Sequence, residues 1–442
     1  MKYNKRAAST KMQNGKISIG QKVEIKDNGE TFNNFSEIYP WRSPIPVVFV
    51  EGSPSEMGQQ FGKATKEVIQ RIVKFNRPVL NKILDDAGIK VSDYISNAKD
   101  AIVKYTESEF LDELASMAEA SGVSYDDLFL TNLNFNIVST FPTPESHYPL
   151  YPVTISEKPM NCSSFSAYGE ATEKGNMVVG HNDDGSRYMD QFLVLKVAKP
   201  KNGKSFVSPV VPGYIGYHSV VNSKHVFLCA TGITDVMRND QLNSDGVPTW
   251  FLFRWMGQFS ESREDALRRF TSVPNNAIVS NWCFSSVNQG TSIINATPKH
   301  HAIAKFPDKS KEWTVTAGKL LTPELEPYIL KVNHPNEGDY RHSSIERAVK
   351  NRLGKINLNT GIEILSDHYD SFTNSISASE NTVCRHMEYD GGFGGTVRSM
   401  VVEFKGHSSN SELTTQVGVC LGNPCNGIWR KLSFDDKMVL TT

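Results

Sequence analysis

The sequence predicts a mixed α+β fold, and three observations lead to this class. In the first third of the chain the apolar residues recur at helical spacing, and from Ser163 onward they alternate with polar residues at strand spacing. Further along, strand-like runs and pairs of helices follow one another without the regular alternation of a parallel βαβ sheet. No internal repeat is found, so the strands are expected to form layers covered by helices.

The helical part begins with a strong start signal. Ser53-Pro-Ser-Glu56 is a capping box with proline at the first helical position. Gly58 and Gly62 would weaken an exposed helix, so they predict a strip where another element approaches closely. The run from Glu109 to Ser121 predicts a further helix, which ends at Gly122 as a C-terminal cap.

A proline-rich segment from Phe141 to Met160 separates this helical part from the strands and predicts an extended, exposed loop. The first 22 residues carry basic but no acidic side chains and lack the apolar region of a secretory signal. Residues 1–40 are therefore predicted to be a disordered arm, with a transit peptide as the minor alternative. Residues 41–161 form the helical segment and 162–442 the strand-rich core.

Within that core, turn residues at 173–176 and 201–204 separate the first strands. Strands are predicted at 163–168, 177–180, 191–198, 205–211, 225–230, 276–284, 291–296, 301–306 and 396–404, and helices at 248–259, 262–270, 343–353 and 360–367.

Composition narrows the classes of function. The 442 residues carry a net charge of -1 and 39% hydrophobic residues, so no general attraction to nucleic acid or anionic lipid is expected. No apolar run of about 18 residues predicts a membrane span. The six cysteines are widely spread without a CxxC pair, so neither a disulfide scaffold nor a zinc site is signalled, and we expect no metal and no cofactor. A reducing, cytoplasmic location is the simplest expectation.

The stretch from Cys162 to Asp184 carries the most chemistry. If residues 173–176 are the turn of a hairpin, paired residue numbers sum to about 349, which places Asp184 opposite Phe165. A thiol, an amide and two carboxylates then meet at one edge of a sheet. Such a group suits nucleophilic catalysis only where something activates the thiol.

Two bases come into question for that thiol. Alternation places His181 on the opposite face from Asn182 and Asp184. The other base is the α-amine that a cut between Asn161 and Cys162 would create, since its reference pKa of about 8 suits proton acceptance. Asparagine tolerates strained backbone better than most residues, and strain at this amide would assist attack by the thiol.

The chain resembles the acyl-coenzyme A:isopenicillin N (6-aminopenicillanic acid) acyltransferase family of cysteine N-terminal nucleophile hydrolases over roughly residues 48–428. No single motif is specific, but their combination and order around the cysteine are. The matching pieces are Val50–Gly62, Glu113–Leu128, Cys162-Ser-Ser-Phe165, Gly180-His-Asn-Asp-Asp184, Gly246-Val-Pro248, Val332-Asn-His334, Val383-Cys-Arg-His386 and Gly422-Asn-Pro-Cys425.

This resemblance implies a four-layer αββα fold, made as a precursor that cuts itself before the nucleophile. Cys162 would be the nucleophile and its freed amine the base, Asp184 would lie beside it, and Asn333 would donate to the oxyanion. Arg385 would neutralise a buried carboxylate. The chain departs from the family pattern at Asn161, where many members have glycine, and at Asp183 and Gly185, where many have an aromatic residue.

The implied activity is hydrolysis or transfer of an acyl group at an amide bond, through a thioester on Cys162. Expected partners are a small-molecule or short-peptide acyl amide, an acyl-coenzyme A donor in the case of transfer, and the chain's own cleaved N-terminal segment. One alternative is a binding protein with the same fold that never matures. Another is a papain-like hydrolase that pairs Cys162 with His334 or His386, although a Cys-Gly-Ser-Cys-Trp context is absent.

Other candidate groups receive plainer interpretations. Asn182 to Gly185 is alternatively a plain acidic turn, and the spacing of a calcium loop is absent. His300-His301 and Asp367 to Asp370 are expected on the solvated surface, while Cys384 and Cys425 are expected to be inert.

Overall fold

The computed structural model describes residues 44–140, 162–185, 192–233, 236–237, 245–276, 279–287, 289–305, 312–330, 337–386, 395–406 and 413–441. The predicted N-terminal arm, the proline-rich loop from Phe141 to Met160, and Asn161 lie outside these residues. The division of the chain at positions 40 and 161 stays a prediction. Among the described helices, none is long and apolar enough to cross a membrane.

The α-helices fall into two groups along the chain. The first group lies within residues 54–271, and the second lies within residues 337–365. The predicted capping box and the cap at Gly122 are both confirmed, the latter in a left-handed conformation. The described α-helices are α1 (Pro54–Ala64), α2 (Lys66–Asp86), α3 (Val91–Tyr105), α4 (Glu109–Ser121), α5 (Tyr125–Asn132), α6 (Asn134–Thr140), α7 (Thr249–Phe259), α8 (Arg263–Thr271), α9 (Glu337–Lys350) and α10 (Leu358–Leu365). A 3-10 helix spans Pro323–Tyr328.

Two large sheets contain most of the strands. In the first, β1 (Val47–Gly52) runs parallel to β4 (Val194–Pro200), and antiparallel strands follow in the order β5 (Phe206–Val210), β6 (Ser219–Asn222), β7 (Val226–Gly232), β11 (Ser280–Ser286), β12 (Gly290–Ala296) and β13 (His301–Lys305). The second is antiparallel, in the order β14 (Trp313–Ala317), β2 (Ser163–Gly169), β3 (Gly175–Gly185), β18 (Gly395–Lys405), β19 (Thr414–Leu421), β20 (Trp429–Phe434) and β21 (Leu440–Thr441).

Three short ladders complete the strands within the described ranges. They pair β8 (Val236–Met237) with β15 (Ile329–Leu330), β9 (Val247–Pro248) with β10 (Asn275–Asn276), and β16 (Tyr369–Asp370) with β17 (Ser375–Ile376).

The two sheets pack face to face, and helices cover both outer faces. Alternation along single strands shows this directly: Val194 and Ala198 of β4 pack among the helices, whereas Leu195 and Val197 pack against the second sheet. In β18, residues at every second position (Met400, Val402, Phe404) face the first sheet, and Val401 packs beneath α9 and α10. The fold is therefore α+β with four αββα layers, as the family resemblance implies.

A buried ion cluster ties the helical layer to the first sheet. Glu113 in α4 accepts from Lys196 Nζ of β4 at 2.6 Å and from Arg254 Nη2 of α7 at 2.6 Å. All three side chains are almost wholly buried, so this ion cluster is shielded from solvent. Removal of one partner from such a cluster leaves an unpaired buried charge, which costs about 3 to 5 kcal/mol.

The hairpin of β2 and β3 corrects the predicted register. Ser163 pairs with Asn182 and Phe165 with Gly180, so the paired numbers sum to 345 and Asp184 does not face Phe165. The turn comes earlier than predicted because Gly169 and Gly175 both take left-handed conformations and enclose residues 170–174. Continuing this register places Asp183, rather than Asp184, across from Cys162.

The predicted close approach at Gly58 and Gly62 is confirmed, because α1 packs directly on α4 at these positions. A Cβ atom on Gly62 would lie 2.6 Å from the Met117 carbonyl oxygen and 2.9 Å from Ala120 Cβ, and one on Gly58 would overlap the Glu113 carbonyl. Backbone atoms cannot move aside as a flexible side chain can, so both positions require glycine.

We expect Gly62→Ala to lower the free energy of unfolding by about 1 to 3 kcal/mol, because the added methyl group overpacks the contact between α1 and α4. Denaturant titration followed by circular dichroism measures the effect. Lys63→Ala is the matched control, since Lys63 is the exposed neighbour on the same helix and its truncation should change stability by less than about 0.5 kcal/mol. Equal stability of Gly62→Ala and Lys63→Ala would contradict the close packing.

Candidate active site

Cys162 lies immediately before β2, at the edge of the second sheet, and its thiol is buried. Its Sγ lies 3.5 Å from Asp183 Oδ1, to which the thiol donates. Antiparallel pairing brings the two residues together because cross-strand partners present their side chains on the same face. The two adjacent aspartates of β3 consequently face opposite sides, with Asp183 on the thiol's side.

The carboxylate of Asp183 contacts a guanidinium group and an imidazole ring. Arg398 Nη2 of β18 lies 2.7 Å from Asp183 Oδ2, and His218 Nδ1 lies 3.2 Å from Asp183 Oδ1. Burial alone would raise the pKa of the Asp183 carboxyl, but Arg398 and His218 outweigh it and hold that pKa well below its ordinary value. Asp183 is therefore a fixed negative charge beside the thiol.

Asp184 occupies the other face of β3, toward α9. Its Oδ2 lies 2.5 Å from Arg341 Nη1 and 3.6 Å from Arg385 Nη1, and its Oδ1 accepts from Thr396 Oγ1 at 2.9 Å. Burial raises the pKa of this carboxyl, and the two guanidinium groups and the Thr396 hydroxyl oppose the rise. Two arginines around one carboxylate make this face of the site electropositive.

A β-bulge in β18 brings the partners to both aspartates. Thr396 pairs with Asp184 and Arg398 pairs with Asp183, so Val397 is the extra residue between them. A bulge re-aims the side chains that flank it. The bulge therefore delivers a hydroxyl to one carboxylate and a guanidinium to the other from neighbouring positions of one strand.

The thiol itself is protonated in this arrangement. Burial, followed by the charges of Asp183 and Asp184, raises the pKa of Cys162 well above its ordinary value, and the Asp184 backbone N–H and Arg341 oppose this only in part. A neutral thiol is a poor nucleophile. Chemistry at Cys162 therefore requires a base that accepts its proton.

His181 is not that base. Its Nε2 donates to the Ala230 carbonyl at 3.0 Å, so Nδ1 is left to accept from Ser219 Oγ at 2.8 Å. Burial, and then the charge of Arg398, lowers the pKa of His181 to about 3, so the ring is neutral at pH 7. The ring joins β3 of the second sheet to β6 and β7 of the first, as the predicted alternation away from Asp184 requires.

Asn182 also has contacts that leave no group for substrate. Its Nδ2 donates to the carbonyls of Leu365 and Val383 at 2.9 and 3.0 Å, and its Oδ1 accepts from Ser399 Oγ at 2.6 Å. The amide thereby fixes the end of α10 and the segment that leads to Arg385. Asn182 supports the site and does not contact the thiol.

The remaining predicted residues divide into two groups. Asn161, Asn333 and His334 lie outside the described residues, so their predicted roles stay predictions. His386 lies away from the thiol, with its Nε2 3.3 Å from Cys425 Sγ and 3.2 Å from His368 Nε2. The papain-like pairing of Cys162 with His386 is therefore not the arrangement found.

Sequence reasoning missed several residues of this site. Arg341, His218 and Thr396 carry no local signal, because each reaches the site only through the packing of its element. Arg398 had a usable signal, since it and Glu403 are charges within a predicted strand that is mainly apolar, and a charge in a buried strand needs a buried partner. Asp183 was noted only as a departure from the family pattern.

Aromatic rings surround His218, whose Nδ1 contacts Asp183. We call Phe135, Tyr217, Trp250 and Phe253 the aromatic wall. The His218 ring lies 4.7 Å from the Trp250 ring and 5.3 Å from that of Phe135, measured between centroids. Trp250 stacks on Tyr217 at 4.9 Å, and the Arg398 guanidinium lies 5.2 Å from the Tyr217 ring. The aromatic wall is thus linked to the Asp183 carboxylate through His218 and Arg398.

Comparison with known proteins finds weak similarities, and no family model matches the chain. An uncharacterized protein of Archaeoglobus fulgidus is 24% identical over 349 residues, which cover 74% of this chain and 55% of that protein. The alignment thus spans about half of that relative's length. Protein dcd1A of Dictyostelium discoideum is 21% identical over 374 residues, which cover 77% of each chain.

Among solved structures, the chain is similar to a Caenorhabditis elegans N-acylethanolamine-hydrolyzing acid amidase ortholog, with 13% identity and a TM-score of 0.38 over 54% of this chain and 92% of that one. It is also similar to two variants of the conjugated bile acid hydrolase of Clostridium perfringens. These have 11% and 12% identity and TM-scores of 0.34 and 0.35, covering 64% and 63% of this chain and 99% of each of theirs. Likenesses of this size carry no weight for function.

We expect His181→Gln to weaken the pH dependence of stability. Below pH 6.5 the unfolded chain binds a proton at His181, whereas the folded chain does not until about pH 3, so this group removes stability as the pH falls. Between pH 6.5 and pH 4.5 the loss amounts to about 2 to 3 kcal/mol, which the variant should not show. Denaturant unfolding at both pH values, in a Cys162→Ala background, measures it.

Ser219→Ala is the control for this prediction. It removes the hydrogen bond to Nδ1 but keeps the buried ring, so the pH dependence should stay close to that of the parent protein. If His181→Gln and the parent lose the same stability between the two pH values, the ring does not titrate as argued.

Proposed function

We propose that this protein is a self-processing cysteine N-terminal nucleophile enzyme that cleaves an amide bond through a thioester on Cys162. One observation carries the proposal: a buried, protonated thiol stands at the first position before a strand, against two charge-compensated aspartates. No described histidine is hydrogen-bonded to Cys162, so the base has to come from elsewhere. The α-amine of a new chain end supplies it.

In the self-processing step, the Cys162 thiol attacks the carbonyl carbon of Asn161. The C–N bond breaks as the departing nitrogen of Cys162 itself takes the thiol proton, so this intramolecular step needs no separate base, and a thioester forms between the two residues. Water then hydrolyses the thioester, which frees the Asn161 carboxylate, the thiol and the α-amine of Cys162. Asp183 Oδ1, at 3.5 Å from Sγ, is the hydrogen-bond acceptor that orients the thiol before attack.

The register of β2 and β3 supports a role for Asp184 beside the new amine. Cys162 pairs with Asp183 when the register continues, so the N-terminal side of Cys162 is directed toward the level of Asp184. A neutral amine there takes the thiol proton as the substrate carbonyl is attacked, and then returns it to the leaving amine. Asp184, compensated by Arg341 and Arg385, orients the amine without acting as the base itself.

The aromatic wall supports an apolar acyl group in the substrate. Its rings pack around His218 and Arg398, the two partners of Asp183, and Arg398 Nε and Nη1 have no hydrogen-bond partner among the described residues. The unpaired N–H groups of Arg398 could donate to the amide of a substrate, and the neighbouring aromatic rings could pack against an apolar acyl chain. Water as the acceptor gives hydrolysis, and an amine acceptor with an acyl-coenzyme A donor gives transfer.

Two other functions compete with this proposal. A binding protein that never matures would keep the same buried aspartates, and the unusual Asn161 favours it. A histidine-dependent hydrolase is favoured only by His218, whose Nδ1 contacts Asp183 rather than the thiol. Self-cleavage distinguishes the first alternative, and the pH profile distinguishes the second.

We expect the purified protein to consist of two pieces, with 161 residues and the remaining 281 of the 442 residues, that stay associated. Intact mass spectrometry under denaturing conditions measures the pieces, and N-terminal sequencing of the larger one should begin at Cys162. Cys162→Ala should give one full-length chain because it lacks the attacking thiol. Cys283→Ala, a buried cysteine in the sheet interface, is the matched control and should cleave normally. An active wild type that stays intact would refute this mechanism.

We expect the acid limb of the rate profile to move to lower pH in Asp184→Asn. The wild-type limb should report the α-amine, whose reference pKa is about 7.7 to 8.0. Loss of the carboxylate charge leaves Arg341 and Arg385 uncompensated, and both destabilise the protonated amine, so its pKa falls. Steady-state rates with a panel of acyl amides across pH 5 to 9 measure the limb in matured enzyme.

His218→Gln serves as the comparison in the same assay. Two results together would contradict the amine as base: the acid limb disappears in His218→Gln, and the acid limb of the wild-type enzyme is unchanged after the Cys162 amine is blocked. Reductive methylation or acetylation of the new chain end, checked by mass, provides the blocked enzyme. Full activity after complete blocking would favour the histidine-dependent alternative.

A further inference from the structure

Four side chains outside the thiol site converge at the end of the second sheet. His368 follows α10, Cys384 and His386 belong to the segment before β18, and Cys425 lies between β19 and β20. We call these four the Cys2His2 cluster. Their ligating nitrogen and sulfur atoms all lie within 4.8 Å of one another.

The spacing of these atoms fits a tetrahedral zinc ion. Zinc bonds of about 2.3 Å to sulfur and about 2.0 to 2.1 Å to nitrogen place tetrahedral ligand atoms about 3.3 to 3.8 Å apart. The two imidazole Nε2 atoms lie 3.2 Å apart, and His386 Nε2 lies 3.3 Å from Cys425 Sγ. Two thiols and two imidazoles whose ligand atoms lie within 4.8 Å of one another are the ligand set that suits zinc in a closed, structural site.

The backbone around the cluster is held by its own hydrogen bonds. Cys384 N donates to the Asp367 carbonyl at 3.1 Å, and Ser377 N donates to the His368 carbonyl at 2.9 Å. On the other side, Asn423 Nδ2 donates to the Arg385 carbonyl at 2.5 Å. The three segments are therefore fixed against one another independently of the four side chains, so the ligand atoms are preorganised.

We propose that the Cys2His2 cluster binds one Zn²⁺ ion as a structural site. The four protein ligands complete a tetrahedron and leave no open position for substrate, so the ion holds segments together and takes no part in the thioester chemistry. Binding displaces one proton from each thiol, and each histidine coordinates through neutral Nε2. The sequence did not signal this site because its four ligands are spread over three segments without a CxxC pair.

The cluster adjoins the thiol site through Arg385 and through Asn423. Arg385 stands between the ligands Cys384 and His386, and its Nη1 lies 3.6 Å from Asp184 Oδ2. Asn423, two residues before Cys425, also donates to the Thr396 carbonyl at 3.3 Å, and Thr396 in turn donates to Asp184. Zinc at the cluster would therefore stabilise the side of the site that compensates Asp184.

Metal analysis of the full chain, purified under reducing conditions from zinc-supplemented medium, tests the proposal. We expect about one zinc ion per chain in the wild type and less than about a tenth of that in Cys425→Ser and His386→Gln. Cys283→Ser is the matched control, because its thiol lies in the sheet interface among hydroxyl groups, and it should keep its zinc. Loss of zinc should also lower the melting temperature, and re-addition should restore it.

A second measurement on the wild type keeps the proposal testable if the variants fail to fold. After chelation, Co²⁺ alone is titrated into the protein, and bound Co²⁺ should show thiolate charge-transfer and tetrahedral ligand-field absorption. Zinc should slow the alkylation of the exposed Cys425 at least about tenfold, as followed by mass spectrometry, since a coordinated thiolate is shielded.

Three outcomes would overturn the site. They are a wild-type protein that binds neither Zn²⁺ nor Co²⁺, a Cys384–Cys425 disulfide that persists in reductant, and zinc that remains in Cys425→Ser and His386→Gln. None of them bears on self-cleavage at Cys162, so the two proposals fail separately.

Discussion

The site depends on neutralisation of the negative charges of two neighbouring carboxylates, Asp183 and Asp184, which are buried on opposite faces of the second sheet. An unpaired buried carboxylate costs several kcal/mol, so Asp183 and Asp184 require cations on both sides of β3. Arg398 meets this need from β18, Arg341 from α9, and Arg385 from the segment after Val383. Each cation fixes one element, and β3 becomes the reference to which the second sheet, its helical cover and the C-terminal segment are all aligned.

The same two carboxylates also determine the protonation state of the Cys162 thiol. Both aspartates disfavour the thiolate of Cys162, and burial adds to their effect. The nearest imidazoles are occupied, because His181 bridges the two sheets and His218 contacts Asp183. A thiol in this state needs a base that the intact chain does not present among its described residues. In the proposed mechanism, the chain end created by cleavage before Cys162 supplies this base for turnover of substrate.

Sequence patterns predicted the features that depend on local chemistry. The helix start at Ser53, the cap at Gly122 and the glycine strip of α1 follow from caps and sterics, and all three are confirmed. The hairpin register was wrong by four in the paired sum, because two left-handed glycines start the turn earlier than the Lys-Gly-Asn signal indicated. The family resemblance, not this register, placed Asp184 beside the nucleophile, whereas the thiol contacts Asp183.

What the sequence could not predict are contacts between elements that are distant along the chain. Arg341 and His218 have no local pattern, and His368, expected on the surface, joins Cys384, His386 and Cys425 only because α10, the segment before β18 and the β19–β20 connection end together. Asn182 connects the carboxylate site to the Cys2His2 cluster. Its amide donates to the Leu365 and Val383 carbonyls, which shortly precede three of the four cluster residues along the chain. One polar residue of β3 thus positions the backbone next to both the carboxylate site and the proposed metal site.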